Sequence, residues 1–486
     1  MVVRTRFAPS PTGFLHIGSV RTALYAYAFA KKHGGQFIVR IEDTDQKRRV
    51  EGSIEKIFEG LEEIRLIPDE SSKHGGEKGP YIQSERKEIY LDYAKKLIEE
   101  GNAYYCFLEG DELEKFKKEF KGKGFRSPYR DQDISISKKM IEEGKPFVIR
   151  LKVPNNEIIE YEDGIQGKTK FNTDLVGDEV LIKSNGMASY HLAVVVDDHL
   201  MEITHVMRAV EWFPSTPKQI LIHRFLGIEM PPYYHLPTIL DPEGGKLSKR
   251  KGAVALHNFF EEGYLPEALL NFMMLLGWSS PLPRVHGEKE REIYSLQEFI
   301  EIFDLRDLNK SNAVFNRDKL RWFNKQYILN SSDDEFRTKF INWVEKYEED
   351  EDFRNRILSD LDLDKKLELV KGRSETLSQS AKMINFFYYR PLSINWDVKQ
   401  LEKVKDKIEL IKAKIHKLHE SFDTNSKNWT HEQWEKGMRE IGDSLDVKHG
   451  DVFMVLRVAV VGEPVSPPLF ECLQILGKDE VVKRLG

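Results

Sequence analysis

Cysteine is nearly missing from this chain of 486 residues: Cys106 and Cys472 are the whole supply, far apart and with no CxxC pair. That excludes a disulfide framework, argues for a reducing compartment, and leaves no cysteine-rich zinc site. No apolar run approaches the ~20 residues of a membrane-spanning helix. Met1-Val2-Val3-Arg4 leads straight into sequence of folded character, so no signal or transit segment is expected. Internal repeats and low-complexity tracts are missing too. Nor is there an excess of positive charge: 74 Lys and Arg stand against 80 Asp and Glu, a net charge of −6. Taken alone, that balance does not suggest a nucleic-acid partner. Fields act locally, however, within a Debye length of ~8–10 Å. Lys115 to Arg130 (KFKKEFKGKGFRSPYR) is a basic cluster with interleaved aromatics, and Lys246 to Lys251 (KLSKRK) is a second. Each is also open to reading as a solvated face.

What is present is ample core material. Hydrophobic residues make up 40% and charged residues 32% of the chain, as in ordinary globular proteins, and the length suits roughly two to four domains. The most informative stretch is Arg6-Phe7-Ala8-Pro9-Ser10-Pro11-Thr12-Gly13-Phe14-Leu15-His16-Ile17-Gly18-Ser19. A segment this rich in Pro and Gly continues neither strand nor helix. It turns the chain and opens the next helix with free N–H groups, which attract anions. Val2 to Ala8 reads as a buried strand, Ser19 as an N-cap, Val20 to Lys32 as a buried crossover helix stopped by Gly34-Gly35, and Phe37 to Ile41 as the next strand. This βαβ unit implies a parallel sheet with ligands at the carboxyl ends of its strands. The Pro/Gly loop and the acidic cluster Glu42-Asp43-Thr44-Asp45 both fall there.

Further along, helices are expected at Ser84 to Gly101 and near Ser137 to Gly144, with short strands at Phe147 to Val153 and Val180 to Ser184, as an insertion within the first domain. Tyr190 to Val196 (YHLAVVV) reads as a return of the sheet, followed by Asp197-Asp198-His199. His235 to Leu240 precedes the loop Asp241 to Lys251. From about residue 330 the pattern is helical: Ile408, Ile411, Ile415 and Leu418 recur at helical spacing, Thr430 and Gln433 form a capping box, and Leu469 to Leu476 is a last element ending at Gly477.

Two features carry chemistry. His16, at the mouth of the first helix, can donate to a phosphate oxygen, although a capping or packing role is open to it. Lys246 and Lys249, three apart in a loop flanked by Gly244-Gly245 and Gly252, can close on the β- and γ-phosphates of ATP and neutralise charge on leaving pyrophosphate. The alternative for them is a surface lysine loop.

PSPTGFLHIGS resembles the HIGH motif of class I aminoacyl-tRNA synthetases, and KLSKR resembles their KMSKS loop. With RFAPSPTG, RIEDTD, YHLAVVVDDHLMEITHVMR, DPEGGKLSKRKG and VSPPLFECLQILGK, the resemblance narrows to the bacterial-type glutamyl-tRNA synthetases, and it runs from about residue 3 to residue 485. It implies an α/β fold: a Rossmann-type parallel-sheet catalytic domain (1–80 and 190–240), an inserted acceptor-binding domain (81–189), a stem-contact region with the KLSKR loop (241–329), and an all-α anticodon-binding region (330–486). It implies ATP contacts at Pro9, Ser10, Thr12, Gly13, His16, Gly18, Lys246, Leu247, Ser248 and Lys249. The glutamate pocket it implies is Arg6, Ala8, Ser10, Glu42, Tyr190, Arg208 and Trp212, with either arginine open as the one that takes the side-chain carboxylate. Arginine forks suit carboxylates, and Glu42 suits the ammonium. Arg373 falls where relatives that discriminate between tRNAs carry an arginine. The expected catalytic residues are His16, Lys246 and Lys249. The expected partners are ATP with Mg²⁺, L-glutamate and tRNA-Glu, in a cytoplasmic monomer with no membrane contact.

Departures are visible. Ser19 stands at the fourth position of the HIGH-like motif, Leu247 and Arg250 alter the KMSKS-like loop, Val194 stands where some relatives have a polar residue, and Val210 where many have a Gly-Glu-like or acidic one. Some relatives bind zinc in the inserted domain. Here Cys106 stands alone, so no zinc is expected. Competing readings are a glutaminyl enzyme, which would carry β-barrel anticodon domains, a tRNA-base-glutamylating enzyme, which would lack the helical third, and a catalytically silent RNA-binding paralogue, which would need none of His16, Lys246 or Lys249.

Overall fold

The computed structural model describes residues 2–119, 123–247, 254–282, 291–391, 394, 396–421 and 430–486. Contacts divide the chain into two compact units, Met1–Asn258 with Leu269–Arg317, and Phe259–Ala268 with Asp318–Gly486.

The first unit begins with β1 (Arg4–Phe7), α1 (Ile17–Lys32), β2 (Gln36–Val39), α2 (Ser53–Glu63) and β3 (Glu70–Ser71). Strands β1, β2 and β3 form a parallel sheet in which Arg6 faces Ile38 in register. α1 is apolar nearly all round, with Ile17, Val20, Ala23, Leu24, Ala26 and Phe29 buried, as a crossover helix must be. Gly34, at φ 61, lets the chain leave the helix and turn into β2. Next come α3 (Lys87–Glu99), β4 (Ala103–Cys106), α4 (Gly110–Glu119), α5 (Ile134–Glu142), β5 (Val148–Leu151), the hairpin β6 (Ile158–Asp163) and β7 (Gly167–Asn172), and β8 (Val180–Ile182). β4, β5 and β8 make a separate antiparallel sheet. The β6–β7 hairpin, paired from Ile158–Asn172 to Asp163–Gly167, had no counterpart in the sequence pattern.

The chain then returns through α6 (Tyr190–Leu200), β9 (Val206–Ala209), α7 (Thr216–Leu226), β10 (Tyr233–Leu236) and β11 (Ile239–Leu240). β9 and β10 are parallel, and a parallel bridge from Thr5 to His205 sets β9 beside β1. Here one expectation is overturned: YHLAVVV is the start of α6, not a strand. Leu192, Ala193, Val194, Val195 and Val196 are all fully buried, in one core with residues of α3, α7, β5 and β8. Burial on every side outweighs the strand preference of β-branched residues, and a continuous apolar run suits either element when nothing faces water. The unit continues with α8 (Leu256–Glu261), α9 (Pro266–Met274), α10 (Leu296–Ile302) and β12 (Ala313–Val314), the unit boundary running through α8 and α9.

The second unit is helical from α11 (Arg317–Asn330) through α12 (Asp333–Tyr347), α13 (Glu351–Leu358), α14 (Leu363–Lys371), α15 (Leu377–Ile384), α16 (Ile408–Glu420), α17 (His431–Leu445), α18 (His449–Val461), α19 (Leu469–Leu476) and α20 (Lys478–Leu485). One core gathers Phe336, Phe340, Val344, Ile357, Val370 and Ile384. A second gathers Ile408, Ile411, Ile415, Trp434, Met438 and Val455. The Thr430–Gln433 capping box forms as its spacing suggests. Among the described residues no helix is long and apolar enough to cross a membrane.

Candidate active site

The Pro/Gly loop leaves the carboxyl end of β1 and enters α1 at His16, which, rather than Ser19, is the N-cap. The His16 Nδ1 accepts from the Ser19 backbone N–H at 3.2 Å, while the Ser19 Oγ accepts from the His16 N–H. Ser19 is thus the third residue of a reciprocal capping box, a role its hydroxyl fills as well as it would have filled the cap. With Nδ1 accepting, a neutral imidazole carries its proton on Nε2. The loop itself is braced from behind: Val50 N–H and Ser53 Oγ donate to the Pro11 carbonyl, and Glu42 N–H donates to the Pro9 carbonyl at 3.0 Å.

The segment that follows the second motif comes to the same place. Residues 254–256, just past KLSKR, pair with residues 15–17: His16 and Ala255 form an antiparallel bridge, Ile17 N–H donates to the Val254 carbonyl at 3.1 Å, and Leu256 N–H to the Leu15 carbonyl at 2.7 Å. On the approach side Gly244 and Gly245, at φ 95 and 80, shape a tight turn rather than an open loop, and Leu240 bridges Lys246. Lys246 ion-pairs with Glu211, both well exposed. Ser248, Lys249 and Arg250 lie outside the described residues.

Beneath the loops lies a buried ionic cluster. Arg40, fully buried, donates to Asp198 at 2.8 Å and to Glu42 at 3.0 Å, and its Nε lies 3.6 Å from Asp197. Arg6 forks onto both oxygens of Asp198 at 3.1 and 3.2 Å. Arg86, Tyr90 and Gln83 all donate to Asp197. The guanidinium groups of Arg6, Arg40 and Arg86 therefore balance the carboxylates of Glu42, Asp197 and Asp198, as buried charges require. Burial opposes the Asp198 carboxylate, but Arg6 and Arg40 outweigh it and hold its pKa below the ordinary value. For Glu42 burial prevails over Arg40 and Arg6 and moves the carboxyl upward.

Arg208, near the end of β9, is treated differently. It is 5% exposed, yet among the described residues no carboxylate pairs with it. Its Nε donates to His235 Nε2 at 2.8 Å, one Nη to Thr216 Oγ1 at 3.2 Å, and the Tyr233 ring lies 4.6 Å from its carbon centre. The Tyr190 Oη and the Trp212 carbonyl are each 3.5 Å away. The Trp212 and Tyr190 rings lie 4.2 Å apart, and Trp212 remains 40% exposed, a wall rather than core. The Tyr190 phenol is pushed up by burial, against the pull of Arg208 and Arg6, with Glu42 adding to the rise. The phenol thus feels both the neutralised and the unneutralised arginine.

Of the residues the resemblance groups as a pocket, the fold links Arg6 with Glu42 through Asp198 and Arg40, and Tyr190 with Arg208 and Trp212 directly. Ala8 and Ser10 lie on the loop above. Sequence reasoning passed over Arg40, Asp163, Thr216 and His235 and gave Asp197 and Asp198 no role. A helical reading of 190–200 puts Tyr190, Val194 and Asp197 on one face, and would have pointed to the aspartates. Among the described residues no group of three or more His, Cys, Asp and Glu side chains is placed to hold a metal. Cys106 Sγ lies 3.3 Å from Ser127 Oγ and packs with Tyr104, Leu108 and Phe125. In the helical unit Arg373 is exposed, its Nη1 lies 3.5 Å from the Ser466 carbonyl, and Arg457 donates to the Ser466 hydroxyl at 3.0 Å.

A parallel sheet whose carboxyl-edge loop opens a helix, with residues 254–256 paired to that helix mouth, is the frame of a nucleotide-activating enzyme, and the comparisons name its class. Residues 2–322 match the class I tRNA synthetase (E and Q) catalytic domain, and residues 335–486 match an anticodon binding domain. The chain belongs to this family of class I synthetases. Within it, the glutamate–tRNA ligase of Prosthecochloris aestuarii is 41% identical over 497 residues, covering 99% of this chain and 97% of that one. That of Chloroherpeton thalassium is 39% identical with the same coverage. The solved glutamate tRNA ligase of Elizabethkingia meningosepticum, in complex with its amino acid, superposes with a TM-score of 0.80 at 36% identity and spans 100% of this chain and 98% of its own.

Proposed function

We infer that this chain is a glutamate–tRNA ligase that activates L-glutamate with ATP and transfers it to the 3′ end of tRNA-Glu. The observation that carries the reading is the pairing of residues 254–256 with residues 15–17, which ties the lysine loop to the His16 helix mouth. The substrate α-carboxylate is ionised at neutral pH and attacks the α-phosphate without a protein nucleophile. Catalysis then consists of positioning and electrostatic stabilisation. His16, through Nε2–H, and Lys246 and Lys249 are assigned to the phosphates. Pro9, Ser10, Thr12, Gly13, Gly18, Leu247 and Ser248 are assigned to the nucleotide, with Mg²⁺ arriving as its companion.

Arg208 is assigned to the side-chain carboxylate of glutamate because it is the buried arginine of this site with no carboxylate partner among the described residues. Arg6, saturated by Asp198, is assigned to holding the floor. Glu42 is the acid facing the ammonium, and Tyr190, Trp212, Ala8 and Ser10 enclose the remainder. Arg373 and Arg457, converging on Ser466 with no carboxylate partner among the described residues, are assigned to unpaired anticodon bases, which offer acceptor edges. A monomer in the cytoplasm completes the reading.

ATP–pyrophosphate exchange, run with glutamate and glutamine side by side and with and without tRNA-Glu, tests it. Exchange supported by glutamate and not by glutamine, and requiring tRNA-Glu, is expected. Exchange with glutamine would point to the glutaminyl enzyme, and exchange with neither would leave a silent RNA-binding paralogue.

A further inference from the structure

Behind Arg208 stands a second line of residues that the pocket assignment does not use. His235, on β10, is fully buried and joins Arg208 Nε to Asp163, whose Oδ2 lies 2.5 Å from His235 Nδ1. Chemistry fixes the protons. A guanidinium nitrogen only donates, so His235 Nε2 must accept, and the single ring proton sits on Nδ1 and points at Asp163. Burial lowers the His235 pKa and prevails over the opposing pull of Asp163, in keeping with an uncharged ring. Asp163 is itself held rigidly. Its Oδ1 accepts the backbone N–H groups of His235, Ile165 and Gln166 at 3.2, 3.0 and 2.9 Å, and Tyr161 donates to its Oδ2 at 3.1 Å. Apart from His235 itself, these residues belong to the β6–β7 hairpin and its turn, so the hairpin sets the ring.

A neutral imidazole does what a carboxylate in its place would not. It orients the guanidinium through a hydrogen bond yet leaves its positive charge uncancelled, with the Asp163 carboxylate one ring-width further off. Resting on the assignment of Arg208 to the substrate carboxylate, we propose that Asp163 and His235 are positioning residues for Arg208. Together they lock one tautomer of the imidazole and so aim the guanidinium at the amino acid without neutralising it.

Asp163→Asn is the sharpest probe. Three backbone N–H groups keep the amide oxygen at the Oδ1 position, so the amide nitrogen must face His235 Nδ1. That forces the ring proton onto Nε2, against the Arg208 Nε–H. In aminoacylation of tRNA-Glu, Asp163→Asn and His235→Phe should each raise KM for glutamate about tenfold, with kcat and KM for ATP within about twofold of wild type, the pattern of lost substrate binding. The preference for glutamate over glutamine should fall by a similar factor. His235→Gln, which offers Arg208 a carbonyl acceptor, should recover most of both losses. Thermal unfolding checks that each variant is folded, and should Asp163→Asn not fold, His235→Phe against His235→Gln decides by the same criteria.

Wild-type glutamate KM in the Asp163 and His235 variants, beside a raised KM in Arg208→Gln, would overturn the relay and leave Arg208 in its role. So would a uniform fall in kcat with every KM unchanged, which is the mark of a merely structural role. An unchanged glutamate KM in Arg208→Gln would instead overturn the assignment of Arg208 itself.

Discussion

Arg6 on β1 and Arg208 on β9 are both buried, both on the parallel sheet, and both pull on the Tyr190 phenol, yet their surroundings treat them in opposite ways. Around Arg6 the fold places Asp198, with Arg40, Glu42, Asp197 and Arg86 completing a balanced set. Around Arg208, among the described residues, it places only neutral acceptors: an imidazole, two hydroxyls and a carbonyl. A cancelled charge is structural material, since it has no field left for a ligand. An uncancelled one, kept in a poorly solvated place, is a receptor waiting for an anion.

The comparison can be broken where its effects are largest. Asp198→Ala leaves Arg6 and Arg40 facing each other without their shared anion. It should cost about 3–5 kcal/mol of stability in urea unfolding, the usual result of orphaning buried charge. A loss below ~1 kcal/mol would mean the cluster is not the scaffold described. Arg208→Gln should do the reverse, with a smaller change in stability but a loss of roughly 3 kcal/mol, or ~10²-fold, in kcat/KM for glutamate. Should both substitutions act mainly on stability, the division between scaffold and receptor fails.

A third prediction concerns imidazoles. His235 has Asp163 to direct its proton, whereas burial pushes His223 of α7 down to about 4. Between that value and the unfolded ~6.5, the unfolded chain binds a proton that the folded one refuses, so stability is full above ~6.5 and declines as the pH falls toward 4. His223→Leu should therefore lessen the loss of stability between pH 7 and pH 5 by about 2 kcal/mol, read from urea titrations at the two pH values. Equal slopes in variant and wild type would show that His223 is protonated in the fold. The smallest effect belongs to the exposed pair: Glu211→Ala, which only releases Lys246 to solvent, should change unfolding free energy by about 0–1 kcal/mol.

Local pattern carried much of this molecule. The Pro/Gly loop, the burial of α1, the Thr430–Gln433 capping box and the span of α19 follow from residues within a few positions of one another. The helical state of 190–200 did not, because a fully buried valine run has no polar face to reveal its period. The β6–β7 hairpin was equally silent, since Glu160, Glu162, Lys168 and Lys170 leave little apolar alternation on its exposed face. The site divides along the same line. His16 and Lys246 stood out within motifs, but Asp163 meets His235 across 72 positions, and Arg40 meets Asp198 across 158. No spacing rule reaches that far. Such pairs become visible only when the sheet order is known.

α6 has a mechanical consequence. Its first residue, Tyr190, touches Arg208 and Trp212, and its last turn carries Asp197 and Asp198, pinned by Arg6, Arg40 and Arg86. A helix rises 1.5 Å per residue, so the anchor sits about 10 Å behind the aromatic tip. Rolling this rod about its axis would tear several guanidinium contacts at once. Any effort to retune the enzyme toward a different amino acid should therefore leave the rod alone and rework the β9–α7 side, where Arg208 is held by neutral acceptors.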